Sequence, residues 1–196
     1  MVDRMPIRCF VAVDVKLEEE GLRAYRTIRG ELEANFKVKP VEEGNLHLTL
    51  RFIGEVDEGT VRRIAEALRA VKYHPFTASL KGLGAFPSPS NPRVIWIGVE
   101  EGEEDLRELR NRVERALRGI VPRDEEGFTA HLTIARLKGR APRAMDLLKE
   151  YGDFDFGRLN VSEFKLKRSV LTRTGPTYSD IEVYPLVEGG GGSGEG

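Results

Sequence analysis

"HLTL" at residues 47–50 and "HLTI" at residues 131–134 decide how this chain is read. The sequence holds three histidines, and two of them stand in this one setting, each followed two places on by a threonine. On a strand, residues i and i+2 project from one face and i+1 and i+3 from the other. His47 and Thr49 therefore point one way, and Leu48 and Leu50 the other. His131 and Thr133 are backed in the same manner by Leu132 and Ile134. Each strand offers an imidazole and a hydroxyl fixed by apolar packing behind them.

The surroundings of the two motifs also match. RCFVAVDV at 8–15 opens the first half and RVIWIGVE at 93–100 opens the second, 85 residues later; His47 and His131 lie 131 − 47 = 84 apart. After the first opening strand, Leu22, Tyr25, Ile28 and Leu32 recur at helical spacing over about 17–34. After the second, Leu106, Leu109, Val113 and Leu117 do so over about 103–118. Asp57 is the N-cap expected for a helix with Val61, Ile64, Ala65, Leu68 and Val71 on its apolar stripe. FTASLKGLGAF reads as a strand ended by the turn PSPSNP. A short helix is expected around 142–150, then strands in FDFGRLNVSEFKLKRSVL and YSDIEVYPL.

One order, strand–helix–HxT strand–helix–strand, has been used twice. A period near 85 is too long for a solenoid unit and reads as a duplicated lobe. The expectation is an α+β, bilobal, duplicated fold: two antiparallel sheets flanked by helices, with pseudo-two-fold symmetry around a central cleft. It forms a single domain over 1–186, with pseudo-repeats about 7–90 and 92–186. The segment 187–196 reads as a flexible Gly-rich tail.

Composition excludes several classes. Of the 196 residues, 40% are hydrophobic and 32% charged, as in a soluble globular protein. No apolar run is long enough to span a bilayer, and MVDRMPIRCF lacks the apolar core of a secretory signal. The single cysteine, Cys9, sits in an apolar run as a buried strand residue and fits a reducing cytoplasm. A net charge of −1 argues against a nucleic-acid coat, yet residues 128–174 hold 10 Lys and Arg against 5 Asp and Glu. Abundant Glu, Arg and Lys without a single glutamine is the composition of a heat-adapted protein.

One HxT strand alone is more often structural than catalytic. Two at equivalent places of a duplicated chain reverse that weighting. Two imidazoles facing one bond can divide the labour, one taking a proton from the nucleophile and the other giving one to the leaving group. The threonine hydroxyls can donate to phosphoryl oxygens. That set suits phosphodiester cleavage, and neither motif has a third ligand at metal spacing beside it. The third histidine, His74, reads as a loop residue. Arg51, Arg136 and Lys138 are the candidate phosphate contacts. By strand parity Arg51, four after His47, shares the histidine face, whereas Arg136, five after His131, does not.

Paired H-x-T-hydrophobic motifs some eighty residues apart, an opening RCFVAVDV strand and the second motif as HLTIAR resemble the 2H phosphoesterase superfamily. Within it the likeness is to the LigT-like RNA 2′,3′-cyclic phosphodiesterases, once called 2′-5′ RNA ligases, and it covers about residues 7–186. The resemblance implies metal-independent hydrolysis of an RNA or nucleotide 2′,3′-cyclic phosphate to a 2′-phosphate, with 2′-5′ ligation as the reverse. It implies RNA ends or small cyclic nucleotides as partners; no cofactor and a monomeric chain are the accompanying expectations. His47 and His131 would be catalytic, His131 activating water and His47 protonating the departing O3′. Thr49, Thr133 and Arg136 would hold the phosphoryl oxygens, which ranks Arg136 above Arg51 and requires the second strand to bend after Ile134. The basic stretches 136–143 and 165–173, with Phe164 and Tyr178 as stacking groups, would guide an RNA 3′ end. The alternatives are a non-catalytic RNA-end binding module and a 2H phosphodiesterase for another substrate, such as 2′-5′ oligonucleotides.

Overall fold

The computed structural model describes residues 5–189. Met1–Arg4 and residues 190–196 of the Gly-rich tail lie outside the described residues. The chain runs β1 (Ile7–Asp14), α1 (Glu19–Asn35), a short β2 (Val38–Pro40), a 3₁₀ turn (Glu43–Asn45), β3 (His47–Val56) and α2 (Glu58–Leu68). It continues with β4 (Phe76–Ser88), β5 (Asn91–Val99), α3 (Glu103–Ala116), β6 (His131–Leu137), α4 (Ala144–Glu150), β7 (Asp155–Val161), β8 (Glu163–Thr172) and β9 (Gly175–Pro185).

The elements form where the periodicities put them. Cys9, Val11, Val13 and Val15 alternate into the core at 5% exposure or less. Ala24, Tyr25, Ile28 and Leu32 line the buried stripe of α1. The Asp57 side chain accepts a hydrogen bond from the Thr60 N–H at 2.7 Å and caps α2. The single strand region read at 154–171 is two strands, β7 and β8, broken at Ser162.

Sheet order is β7-β4-β5-β6-β3-β1-β8-β9, antiparallel throughout, with β2 added to β6. The two expected sheets are thus two four-stranded halves of one sheet, which meet at the Cα pair Leu48↔Leu132 of β3 and β6. The halves are not the sequence repeats. β4, at the end of the first repeat, pairs with β5 of the second, and β8 of the second pairs with β1 of the first. Helices cross over too: α1 packs on β7 and α3 on β3. They cover the face bearing Leu48 and Leu132, both at 2% exposure or less. Among the described residues no helix lies on the face bearing the two histidines.

Candidate active site

An antiparallel register centred on Leu48↔Leu132 sets His47 across from Thr133 and Thr49 across from His131. The four side chains share the open face where the halves meet, all of them half-buried. Leucines on the covered face clamp both strands from behind, which is how the sequence fixes these groups in place.

The imidazoles are held alike. His47 Nδ1 lies 2.7 Å from the Asn45 carbonyl and His131 Nδ1 lies 2.6 Å from the Thr129 carbonyl. A carbonyl only accepts, so Nδ1 carries the proton and donates in both, leaving each Nε2 for proton exchange. Each ring also sits against two aromatic side chains. His47 has Phe10 at 5.0 Å and Tyr178 at 5.3 Å between centroids. His131 has Phe86 at 5.0 Å and Trp96 at 6.2 Å. Trp96 lies flat against Gly84, where an added Cβ would stand 2.2 Å from the indole.

Electrostatically the two halves differ. Asp14 is the cross-strand partner of His47, whereas Gly98 is the partner of His131. Asp14 holds Lys167 at 2.5 Å and Lys165 at 2.8 Å, and both lysines also reach Asp180. Burial holds the His47 imidazole below its usual pKa; the Asn45 carbonyl and Asp14 oppose this, and Lys167 and Arg136 add to it.

The bend expected after Ile134 is a β-bulge. Thr133 pairs with Trp96 and Ala135 with Ile95, so Ile134 is the extra residue and Arg136 swings onto the histidine face. There it is exposed and near enough to His47 and Tyr178 to shift both. The first motif has the same bulge: Thr49 pairs with Ala12 and Arg51 with Val11, leaving Leu50 extra. Strand parity therefore misplaces Arg51. It is 6% exposed on the covered side, paired with Glu114 Oε1 at 2.6 Å and donating to the Phe52 and Pro122 carbonyls. Arg51 is a structural tie between β3 and α3, not a phosphate contact.

Tyr178 stands in the site, edge-on to both His47 and Phe10. Phe164 does not: it is fully buried and stacked on Tyr184. Lys165 and Lys167, read as basic surface, are neutralised within the Asp14–Asp180 cluster. Lys138 is exposed just past the end of β6. Phe10, Phe86 and Trp96 were missed because apolar residues in strands carry no mark of the face they line. Among the described residues no three His, Cys, Asp or Glu side chains come together as a metal site.

A family model described as "LigT like Phosphoesterase" matches residues 15–96 and again 97–178. The chain belongs to this family. Each matched copy contains one HxT strand, as the duplication requires. Among curated relatives, one from Archaeoglobus fulgidus, named an RNA 2′,3′-cyclic phosphodiesterase, is 44% identical over 91% of this chain and 99% of its own. A crystal structure from Thermus thermophilus superposes with a TM-score of 0.74 at 32% identity, covering 91% of this chain and 97% of that one. Escherichia coli LigT, crystallised with 3′-AMP, superposes with a TM-score of 0.68 at 26% identity, covering 92% and 98%. The likeness extends well beyond the two motifs, over both repeats and nine-tenths of the chain.

Proposed function

We propose that the protein hydrolyses the terminal 2′,3′-cyclic phosphate of RNA or of a nucleotide to a 2′-phosphate. The observation that carries this reading is the matched pair of imidazoles, each with Nδ1–H tied to a carbonyl and Nε2 left for proton exchange. A water attacks phosphorus as His131 takes its proton. The P–O3′ bond breaks as His47 delivers a proton to O3′, giving a 2′-phosphomonoester and a free 3′-hydroxyl. Thr49, Thr133 and Arg136 bind the non-bridging oxygens and stabilise the charge that develops on them. No step requires a metal. With a 5′-hydroxyl RNA end in place of water, the same site forms a 2′-5′ linkage.

Names of relatives support the substrate class, since the Archaeoglobus fulgidus protein is a named RNA 2′,3′-cyclic phosphodiesterase. His47 must be protonated to act as the acid, and the lowering of its pKa by burial works against that. The negative charge of a bound phosphodiester restores the imidazolium. The test is incubation with a 2′,3′-cyclic nucleotide in the presence of a chelator, followed by product analysis. A 2′-phosphate is expected; no product, or product only after metal is added, overturns the reading. His47→Ala and His131→Ala should each lower kcat by at least about a hundredfold while RNA affinity largely persists. An RNA-binding module without catalysis would show no turnover to lose.

A further inference from the structure

Thr133 and Arg136 are the residues of β6 after His131 that take part in hydrolysis, and the strand beside Arg136 is not β3 but β2. Lys39 pairs with Arg136, flanked by Val38 against Leu137 and Pro40 against Ala135. The Lys138 N–H donates to the Lys37 carbonyl at 2.8 Å and carries the pairing beyond β2. Directly opposed residues of an antiparallel pair share a face. Ala135 and Leu137 are buried on the covered side, so Lys39 and Arg136, and beyond them Lys37 and Lys138, stand on the histidine face. All four are exposed.

Two rows of facing cations result, Lys39–Arg136 and Lys37–Lys138, about 7 Å apart along the strands. Like charges set directly opposite one another destabilise a sheet. Yet none of the four makes an ion pair or a side-chain hydrogen bond among the described residues, in a chain with 32 Asp and Glu for its 31 Lys and Arg. The acids on the turn after β2 are engaged elsewhere, Glu42 with Arg29 and Glu43 with Arg26. The rows are also held in place: Val38 packs on the core, and the Tyr25 hydroxyl of α1 donates to the Val41 carbonyl. Facing cations, fixed in position and left without carboxylates, are the complement of a ligand with a repeating negative charge.

We infer that the β2–β6 pair is a track for the RNA strand that leads up to the cyclic phosphate. Lys39, beside Arg136, takes the phosphodiester on the 5′ side of the terminal nucleoside, and the Lys37–Lys138 row takes the next one. Contacts to phosphate fix the register of a strand without reading its sequence. The substrate is therefore the end of an RNA of three or more nucleotides of any sequence, in preference to a free cyclic nucleotide. This rests on the hydrolytic reading above and adds to it the class of substrate.

The experiment compares wild type with the double variants Lys37→Met/Lys39→Met and Lys37→Arg/Lys39→Arg. The substrates are adenosine 2′,3′-cyclic phosphate and a 5′-hydroxyl triadenylate ending in the same cyclic phosphate, which adds two phosphodiesters. Wild type should favour the trinucleotide. In the methionine variant kcat/KM on the trinucleotide should fall about tenfold or more, with little change on the mononucleotide, and its dependence on salt should become shallower. The arginine variant should keep the preference. No preference in wild type, an equal fall on both substrates, or a preference that survives in the methionine variant overturns the inference. If wild type hydrolyses neither substrate, the hydrolytic reading fails instead. Calorimetry with adenosine 2′-monophosphate and with triadenylate ending in a 2′-phosphate then tests the track directly. Tighter binding of the trinucleotide that is lost in the methionine variant supports it, and binding indifferent to length or to the lysines overturns it.

Discussion

His47 and His131 differ in what stands opposite them, a carboxylate in one half and a glycine in the other. The groups acting on His47 are Asp14 from β1, Lys167 from β8, Arg136 from β6 and the Asn45 carbonyl. Burial and the two cations hold its pKa down, so the free enzyme carries it neutral to lower pH than an ordinary imidazole. One limb of the bell in kcat/KM should therefore lie below the ordinary imidazole value, and the same limb in kcat should lie higher, because the bound phosphate favours the imidazolium. Lys167→Met removes a nearby cation and should move the kcat/KM limb up. Asp14→Asn removes the nearby anion and should move it down. NMR titration of the His47 ring protons reads the same shifts without turnover; shifts of the opposite sign would refute this electrostatic account. Cys9 provides a check on packing: fully buried, its thiol is pushed up to about 11. It should resist a disulfide reagent at pH 8 until the chain is unfolded.

At the scale of the element, the bulges in β3 and β6 determine what the motifs can reach. Both HxT strands, their backing leucines and most helices were legible, because periods of 2 and 3.6 are written in the order of side chains. A bulge is not: it is a mismatch between two strands, so Leu50 gives no sign in sequence that it will be the unpaired residue. That is why parity sent Arg51 to the site and Arg136 away from it, and only the family resemblance corrected Arg136. Arg51→Met should leave Glu114 and the Pro122 carbonyl without their partner and cost about 3 kcal/mol in urea unfolding. KM for the cyclic nucleotide should stay near that of wild type; a large rise in KM with unchanged stability would return Arg51 to the site. On β4, Gly84→Ala would push its Cβ into the indole of Trp96 and shift the wall beside His131. Because Trp96 is the sole tryptophan, intrinsic fluorescence should report that displacement, alongside a loss of about 1–3 kcal/mol.

Over the whole molecule, the duplication was readable and its execution was not. The period of 84 to 85 residues reveals two copies, but which strand a given strand will pair with is not encoded by its position along the chain. The copies exchange their ends: β4 crosses to the second half and β8 to the first, while α1 and α3 pack on the half opposite their own opening strands. Each half of the sheet is therefore built from both repeats, and the site lies on the seam between them. A fragment of residues 5–90 would hold β1 and β3 without β8, and would leave the strand partners of β4 absent on both sides. A fragment of residues 91–189 would hold β5 and β6 without β4, and β8 without β1. Unpaired strand edges and uncovered apolar faces on this scale are incompatible with a stable fold. Each fragment alone should give the circular dichroism and amide exchange of an unfolded chain, and mixing the two should restore sheet signal and activity together. A fragment that folded alone with protected amides would show the repeats to be independent domains, and the exchanged strands would then be ornament rather than the framework that brings His47 to His131.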